Sequence, residues 1–261
     1  MDIIVCIKQV PDTTEVKIDP EKGTLIREGV PSIVNPFDEY AVEEALKIKE
    51  KNGAKVTVIT MGPPQASEAL RKCIAMGADE AVLVCDKAFA GSDTWSTSYT
   101  LAKAIEKLGN YNLILCGKQA IDGDTAQVGP GIAEHLRISQ VTYVQKIRET
   151  HEDKVEVERG VETGYEIIET RLPAVLTIDK NAIPPRLPSM MGTMKGLRAQ
   201  IKNLTATDLN LEEGRYGMDG SPTRVKKTFT PAPRVGGRII QCEMEEAVRQ
   251  LVAALREEKI I

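Results

Sequence analysis

Short apolar runs and longer amphipathic periods alternate along the first half of the chain. IIVCIK (3–8), KVTVIT (55–60), EAVLVC (80–85) and NLILC (112–116) are continuously apolar, as strands buried on both faces of a parallel sheet are. Between them, DEYAVEEALKIKEKNG (38–53) places Val42, Ala45, Leu46 and Lys49 at helical spacing, with Asp38 the expected N-cap and Gly53 the stop. SEALRKCIAMG (67–77) and TSYTLAKAIEKLG (97–109) repeat the format. The series predicts an α/β fold: a doubly wound, mostly parallel Rossmann-like sheet with helices on both faces and ligands beyond the strand C-terminal ends.

Three regions depart from this pattern. KIDPEKGTLIREG (17–29) reads as a hairpin excursion, and VEVERGVETGYEIIETRLPAVLTID (155–179) as two or three β runs hinged on Thr163-Gly164 and Pro173, an antiparallel addition to the sheet. The polar, Gly- and Pro-spaced stretch 203–237 is long for a loop in a compact domain and is expected to drape over another chain. A last helix, EMEEAVRQLVAALREE (243–258), aligns Met244, Ala247, Val248, Leu251, Val252 and Leu255 on one face, which needs either a partner surface or its own domain.

Composition narrows the classes. A chain of 261 residues, 42% hydrophobic, supports a substantial core, and a formal net charge of −4 gives no general pull toward nucleic acid or acidic lipid. Five cysteines without a CxxC pair or a nearby histidine argue against a zinc site or a structural disulfide; Cys6, Cys85 and Cys116 lie in or at the end of apolar runs as small hydrophobes. With no basic leader and no run long enough to span a bilayer, a reducing cytoplasm is the expected address, without stable membrane insertion. GxSxG, GxxxxGK[ST] and a strand-linked GxGxxG are all missing, and His135 and His151 read as solvated, so no side-chain catalysis is expected.

Binding is better supported. Cys6, Lys8 and Gln9 at the end of the first strand, VNPFDE (34–39) before the first helix, MGPP (61–64), DKAFAGSDTWSTS (86–98) and GKQAIDGDTAQVGPGIAEHL (117–136) should meet at one sheet edge as a nucleotide-sized cleft. The last stretch is the puzzle, because a strand, a Gly-rich turn and a helix start suit an anion, yet the turn carries Asp122 and Asp124. Asp124-x-x-Gln127 reads as a capping box; alternatively the helix starts at Pro130, leaving the N–H groups around Ala126 to Gly129 for phosphate. In that second case Asp122 would accept bonds from ribose or adenine donors while Gln127, Thr125 and Lys118 face a pyrophosphate.

IVCIKQVPDT, VNPFDEYAVEEALKIKE, AMGADEAVLV, LILCGKQAIDGDTAQVG and VERGVETGYEIIETRLPAVLTID, in that order, resemble the beta subunit of electron-transfer flavoprotein over nearly the whole chain. The resemblance implies a heterodimer with an FAD-carrying alpha subunit and a nucleotide contacting Cys6, Asn35, Pro36, Phe37, Asp38, Met61 and the loop Lys118, Gln119, Ala120, Ile121, Asp122, Gly123, Asp124, Thr125, Ala126, Gln127, Val128 and Gly129. It also implies that RLPSMMGTMKG (186–196) docks an acyl-CoA dehydrogenase through Leu187 beside Met190 and Met191, so that residues 1–195 form a nucleotide- or flavin-binding domain and 196–261 a partner-binding arm and helix.

In the ordinary branch the nucleotide is AMP. Here Asp-Gly-Asp-Thr-Ala-Gln-Val-Gly replaces the bulkier Asp-Asp-Asp-Cys-Asn-Gln-Thr-Gly, and AFAGSDTWSTS (88–98) resembles the electron-bifurcating branch, whose beta subunit binds FAD instead. That branch implies Asp93, Thr94 and Thr97 around the flavin, NADH as donor, and ferredoxin or flavodoxin beside the dehydrogenase as acceptors. Trp95 either stacks on the ligand or fills the core, and the core is the expected place.

Overall fold

The computed structural model describes residues 1–12, 31–180, 184–226, 237 and 239–261, so the hairpin expected at 17–29 lies outside the described residues. The chain forms two compact units, Met1–Lys226 and Lys227–Ile261. The first begins β1 (Asp2–Cys6), β2 (Gln9–Pro11), β3 (Ser32–Val34), α1 (Pro36–Asn52), β4 (Lys55–Met61), α2 (Ser67–Met76), β5 (Glu80–Val84) and α3 (Thr94–Leu108). It continues β6 (Leu113–Gly117), α4 (Val128–Leu136), β7 (Ser139–Thr150), β8 (Lys154–Val161), β9 (Gly164–Arg171), β10 (Ala174–Ile178), α5 (Met190–Arg198) and β11 (Lys202–Leu204).

Nine strands make one sheet in the order β11-β5-β4-β1-β6-β10-β7-β8-β9, and β2 pairs with β3 in a small antiparallel sheet. From β11 to β7 all pairs are parallel, so the loops after β1, β4, β5 and β6 leave at one edge, as expected. Two apolar layers fix the sheet. Ile3, Val5, Val56, Val58 and Leu115 face α1 and α2 with Val42, Leu46 and Leu70, whereas Ile4, Ile59, Ile114 and Val175 belong to the other layer with Ile105 and Ile132 of α3 and α4. Two-sided burial is why these strands read as unbroken apolar runs.

Several expectations need correction. Asp38 does not cap α1: the helix starts earlier, with Pro36 at the first position and Asn35 before it, while Gly53 (φ 67°) ends it as expected. α3 begins at Thr94 because the Asp93 side chain accepts from the N–H groups of Trp95 (3.0 Å) and Ser96 (3.1 Å). β8 and β9 form the expected antiparallel hairpin, but β10 returns to the interior, parallel to β6 and β7. β7, a twelve-residue strand with two register shifts against β8, was not foreseen, because its exposed positions break the alternation.

Part of the supposed docking loop is helical: α5 packs on α2, and the Arg71 guanidinium donates to the carbonyls of Gly196, Leu197 and Ala199 at 2.9–3.1 Å. Residues 203–226, expected on another chain, are fastened to their own sheet. β11 pairs with β5, Leu204 and Leu209 are buried, and Thr223 donates to Asp93. The second unit carries α6 (Met244–Glu257), which holds the predicted apolar face except that Met244 opens it, and no other element of that unit covers it among the described residues.

Candidate functional site

Chain order reverses between β1 and β6: the chain steps from β1 out to β4 and β5, then crosses back to β6. Such a switch point opens a crevice beyond the strand C-terminal ends. Cys6 and Cys116 lie level there in adjacent strands, both buried, and the lip is built by the first turn of α1.

Asp38 lies at the centre of that lip. Only 5% exposed, it accepts from Lys8 N–H at 2.6 Å through Oδ2 and from Gly117 N–H at 3.1 Å through Oδ1. Gly117 has to lack a side chain, since a Cβ would stand 2.2 Å from Asp38 Oδ1 and 2.7 Å from the α1 backbone. Burial pushes the Asp38 carboxyl up to about 7, against the pull of hydrogen bonds from Asn35, Lys8 and Gly117. Asn35, also buried, holds the next turn: its Nδ2 donates to Gln119 carbonyl at 2.8 Å and its Oδ1 accepts from Ile121 N–H at 3.1 Å. The Lys8 ammonium then bridges to Asp122 at 2.6 Å.

This arrangement resolves the two carboxylates. Asp122 is engaged with Lys8, and Asp124 accepts from Gln119 Nε2 at 2.8 Å. α4 starts at Val128 after Gln127, with no side-chain cap, so neither the capping box at Asp124 nor a start at Pro130 occurs. Asp124 (φ 49°) and Ala126 (φ 53°) take left-handed backbone, uncommon for residues with a Cβ and a mark of functional loops. The N–H groups of Thr125, Ala126, Gln127, Val128 and Gly129 donate to no acceptor among the described residues. Free amides in a left-handed turn at a helix start make an anion cradle, and a phosphate fits that donor set.

The remaining predicted residues divide. Met61 is half-buried at the end of β4, and Phe37 lies under two ammonium groups, Lys180 at 4.9 Å and Lys118 at 5.8 Å from its ring centre. Lys118 also reaches Asp179 at 3.2 Å and the Tyr143 ring at 4.9 Å. Thr94 Oγ1 donates to Gln127 Oε1 at 2.8 Å, joining α3 to the cradle. Thr97 is half-buried in α3, and Asp93 turns its carboxylate to its own helix and to Thr223. Sequence reasoning did not single out Gly117, Tyr143 or Lys180. For Tyr143, whose φ of 59° only tertiary packing imposes, no local signal exists.

Trp95 is not in the core: it is 44% exposed, with its ring 4.7 Å from that of His135. Nor is His135 solvated. It is half-buried between Trp95 and Tyr99, and burial together with Arg215 holds its pKa below the usual imidazole value.

Leu187, Met190 and Met191 form a separate surface, 85–89% exposed. Arg186 anchors it, its backbone and side chain donating to Glu43 at 2.8–3.1 Å and its guanidinium pairing with Glu50. No group of three or more metal-ligating side chains gathers among the described residues, and no described helix is long and apolar enough to cross a membrane.

Free amides at the switch point of a doubly wound sheet give an α/β protein with a candidate anion-binding crevice. The chain belongs to the electron transfer flavoprotein family, as a beta-type subunit: the electron transfer flavoprotein domain matches residues 22–209. It is 55% identical to the electron transfer flavoprotein subunit beta of Thermoanaerobacterium thermosaccharolyticum, over 100% of both chains. It is also 51% identical to the caffeyl-CoA reductase-Etf complex subunit CarD of Acetobacterium woodii, over 100% of both. Protein FixA of Bradyrhizobium diazoefficiens is 44% identical over 98% of this chain and 91% of its own. Its general role is therefore electron transfer, in partnership with an alpha subunit.

Proposed function

We propose that this subunit, joined to its alpha subunit, binds FAD in the crevice between β1 and β6. The heterodimer takes electrons from NADH and divides them between a low-potential ferredoxin or flavodoxin and an acyl-CoA dehydrogenase, in the cytoplasm. The observation that carries the nucleotide site is the cradle at 124–129, with left-handed backbone at Asp124 and Ala126 and five unengaged amides. In this reading those amides and Lys118 hold the pyrophosphate, while Cys6, the 35–38 turn and Met61 wall the adenylate. FAD, when bound, supplies hydride acceptance and one-electron transfer. The chain's own part is to fix its position and polarity.

FAD rather than AMP is favoured by Thr94, which extends the polar edge of the cradle onto α3 through Gln127, with Thr97 one turn further along. The ordinary alternative, structural AMP and electrons arriving from acyl-CoA dehydrogenases, rests on the adenylate part of the same crevice. A CoA-thioester partner is supported by the name of the Acetobacterium woodii relative and by Leu187, Met190 and Met191, an exposed apolar patch on an Arg186-anchored segment. Of the expected 196–261 arm, α6 is the described element that this reading gives to the alpha subunit.

Flavin and AMP released from the co-purified heterodimer test this. Two FAD and no AMP per heterodimer, with flavin bleaching by NADH, is the expected result. One FAD with one AMP leaves the ordinary carrier.

A further inference from the structure

The lip of the crevice is built on a carboxylate that the ligand does not need to touch. Asp38 is buried, and each of its oxygens is occupied by the backbone N–H of a different strand exit, Lys8 after β1 and Gly117 at the end of β6. These are the two strands between which chain order reverses. The loop that carries the cradle is tied to both points: Lys8 carries the bridge to Asp122, and Gly117 begins the loop that Asn35 grips at Gln119 and Ile121.

We propose that Asp38 is a positioning residue for the nucleotide crevice, a proton-sensitive clamp whose ionised form holds the exits of β1 and β6 together and whose protonation releases one of them and weakens nucleotide binding. This rests on the nucleotide reading above and replaces the expected direct contact of the Asp38 side chain with the ligand. The chemistry is that of a carboxylate with two filled acceptors. Protonated, one oxygen becomes a hydroxyl, a poorer acceptor that also needs an acceptor of its own, so one of the two N–H bonds is lost.

Burial places this transition in the neutral range, since it pushes the carboxyl up to about 7. The charged and titratable groups around it come from each neighbouring element. Lys8 follows β1, Cys116 with Cys6 beside it lies on the strands beneath, Cys73 faces from α2, and Glu39 adjoins in α1 with its Lys72 partner. The bond to Cys6 together with burial raises the Cys116 thiol, and burial raises that of Cys73, so both stay neutral where Asp38 titrates.

The test is equilibrium binding of FAD and of AMP to the nucleotide-depleted heterodimer between about pH 6 and about pH 8, for the wild type and Asp38→Asn. Losing one charge-assisted bond should weaken wild-type binding about tenfold at the acid end, and Asp38→Asn should bind about tenfold more weakly at the alkaline end with a flat profile. Amide exchange at Gly117 and Lys8 of the wild-type heterodimer, corrected for intrinsic rates, should show one of the two losing protection on acidification, and needs no variant to fold. Binding whose pH profile is the same in both proteins, or exchange protection constant across the range, overturns the clamp alone. A wild type that binds neither nucleotide overturns the nucleotide reading and the clamp with it.

Discussion

Asp38 and Glu43 lie five residues apart on one helix, both buried, and their environments drive them in opposite directions. Asp38 is hydrogen-bonded by neutral N–H donors, and desolvation outweighs both these bonds and the charge of Lys8, raising its pKa to about 7. Burial also raises Glu43, but the hydrogen bonds and charge of Arg186 outweigh it and the net shift is downward. Arg186 is in turn raised, chiefly by its hydrogen bonds to Glu50 and Glu43. A cation bonded directly to the carboxylate therefore separates one that fastens a surface at any neutral pH from one that answers to pH. The first holds the exposed Leu187 segment; the second holds the crevice.

The largest expected effect is on the pH dependence of stability. For Asp38 the folded pKa lies above the unfolded one, so its contribution is fully present below about pH 4 and is lost as pH rises through about 7. A shift from 3.8 to about 7 corresponds to about 4 kcal/mol across that window. Asp38→Asn should remove that slope from denaturant-unfolding free energies measured along pH, and an unchanged slope would show that the carboxyl is not desolvated.

Glu43 has the opposite sign: its contribution is present above the unfolded carboxylate range and lost as pH falls below it. Arg186→Met strands that carboxylate beside an apolar chain and should cost about 3 kcal/mol by urea unfolding at neutral pH; with burial left to raise the Glu43 pKa, that cost should shrink as pH falls and the carboxyl is protonated. A cost near zero would place the Arg186 pair among ordinary surface ion pairs.

Gly117→Ala tests the clamp from the other strand. Its methyl collides with Asp38 Oδ1 and with the start of α1, so a loss of about 2 kcal/mol is expected with weakened nucleotide retention. The smallest effect belongs to the surface proposed for docking. Leu187→Ala removes a side chain that touches little of its own domain, so stability should move by less than about 0.5 kcal/mol while electron transfer with the proposed dehydrogenase partner falls. If unfolding shifts by much more, Leu187 is a packing residue and not a docking one.

Much of the fold was legible because its central strands are buried on both faces: β1, β4, β5 and β6 appear in the sequence as unbroken apolar runs, with helices of 3.6 periodicity between them. The crevice was legible at low resolution for the same reason, since parallel strands send their loops to one edge. β7 and α5 were obscured, one by exposure and bulges, the other by a Pro- and Met-rich start that reads as loop. Trp95 and His135 were misjudged because their ring contacts join α3 to α4 across forty residues.

The sequence by itself determined the alternation of elements, the exposed Leu187 segment and the family. It could not determine which acid on α1 would keep its charge. That choice was made when folding brought Arg186 to Glu43 and two strand exits to Asp38, because a carboxylate's pKa depends on its neighbours in space and on the water they displace.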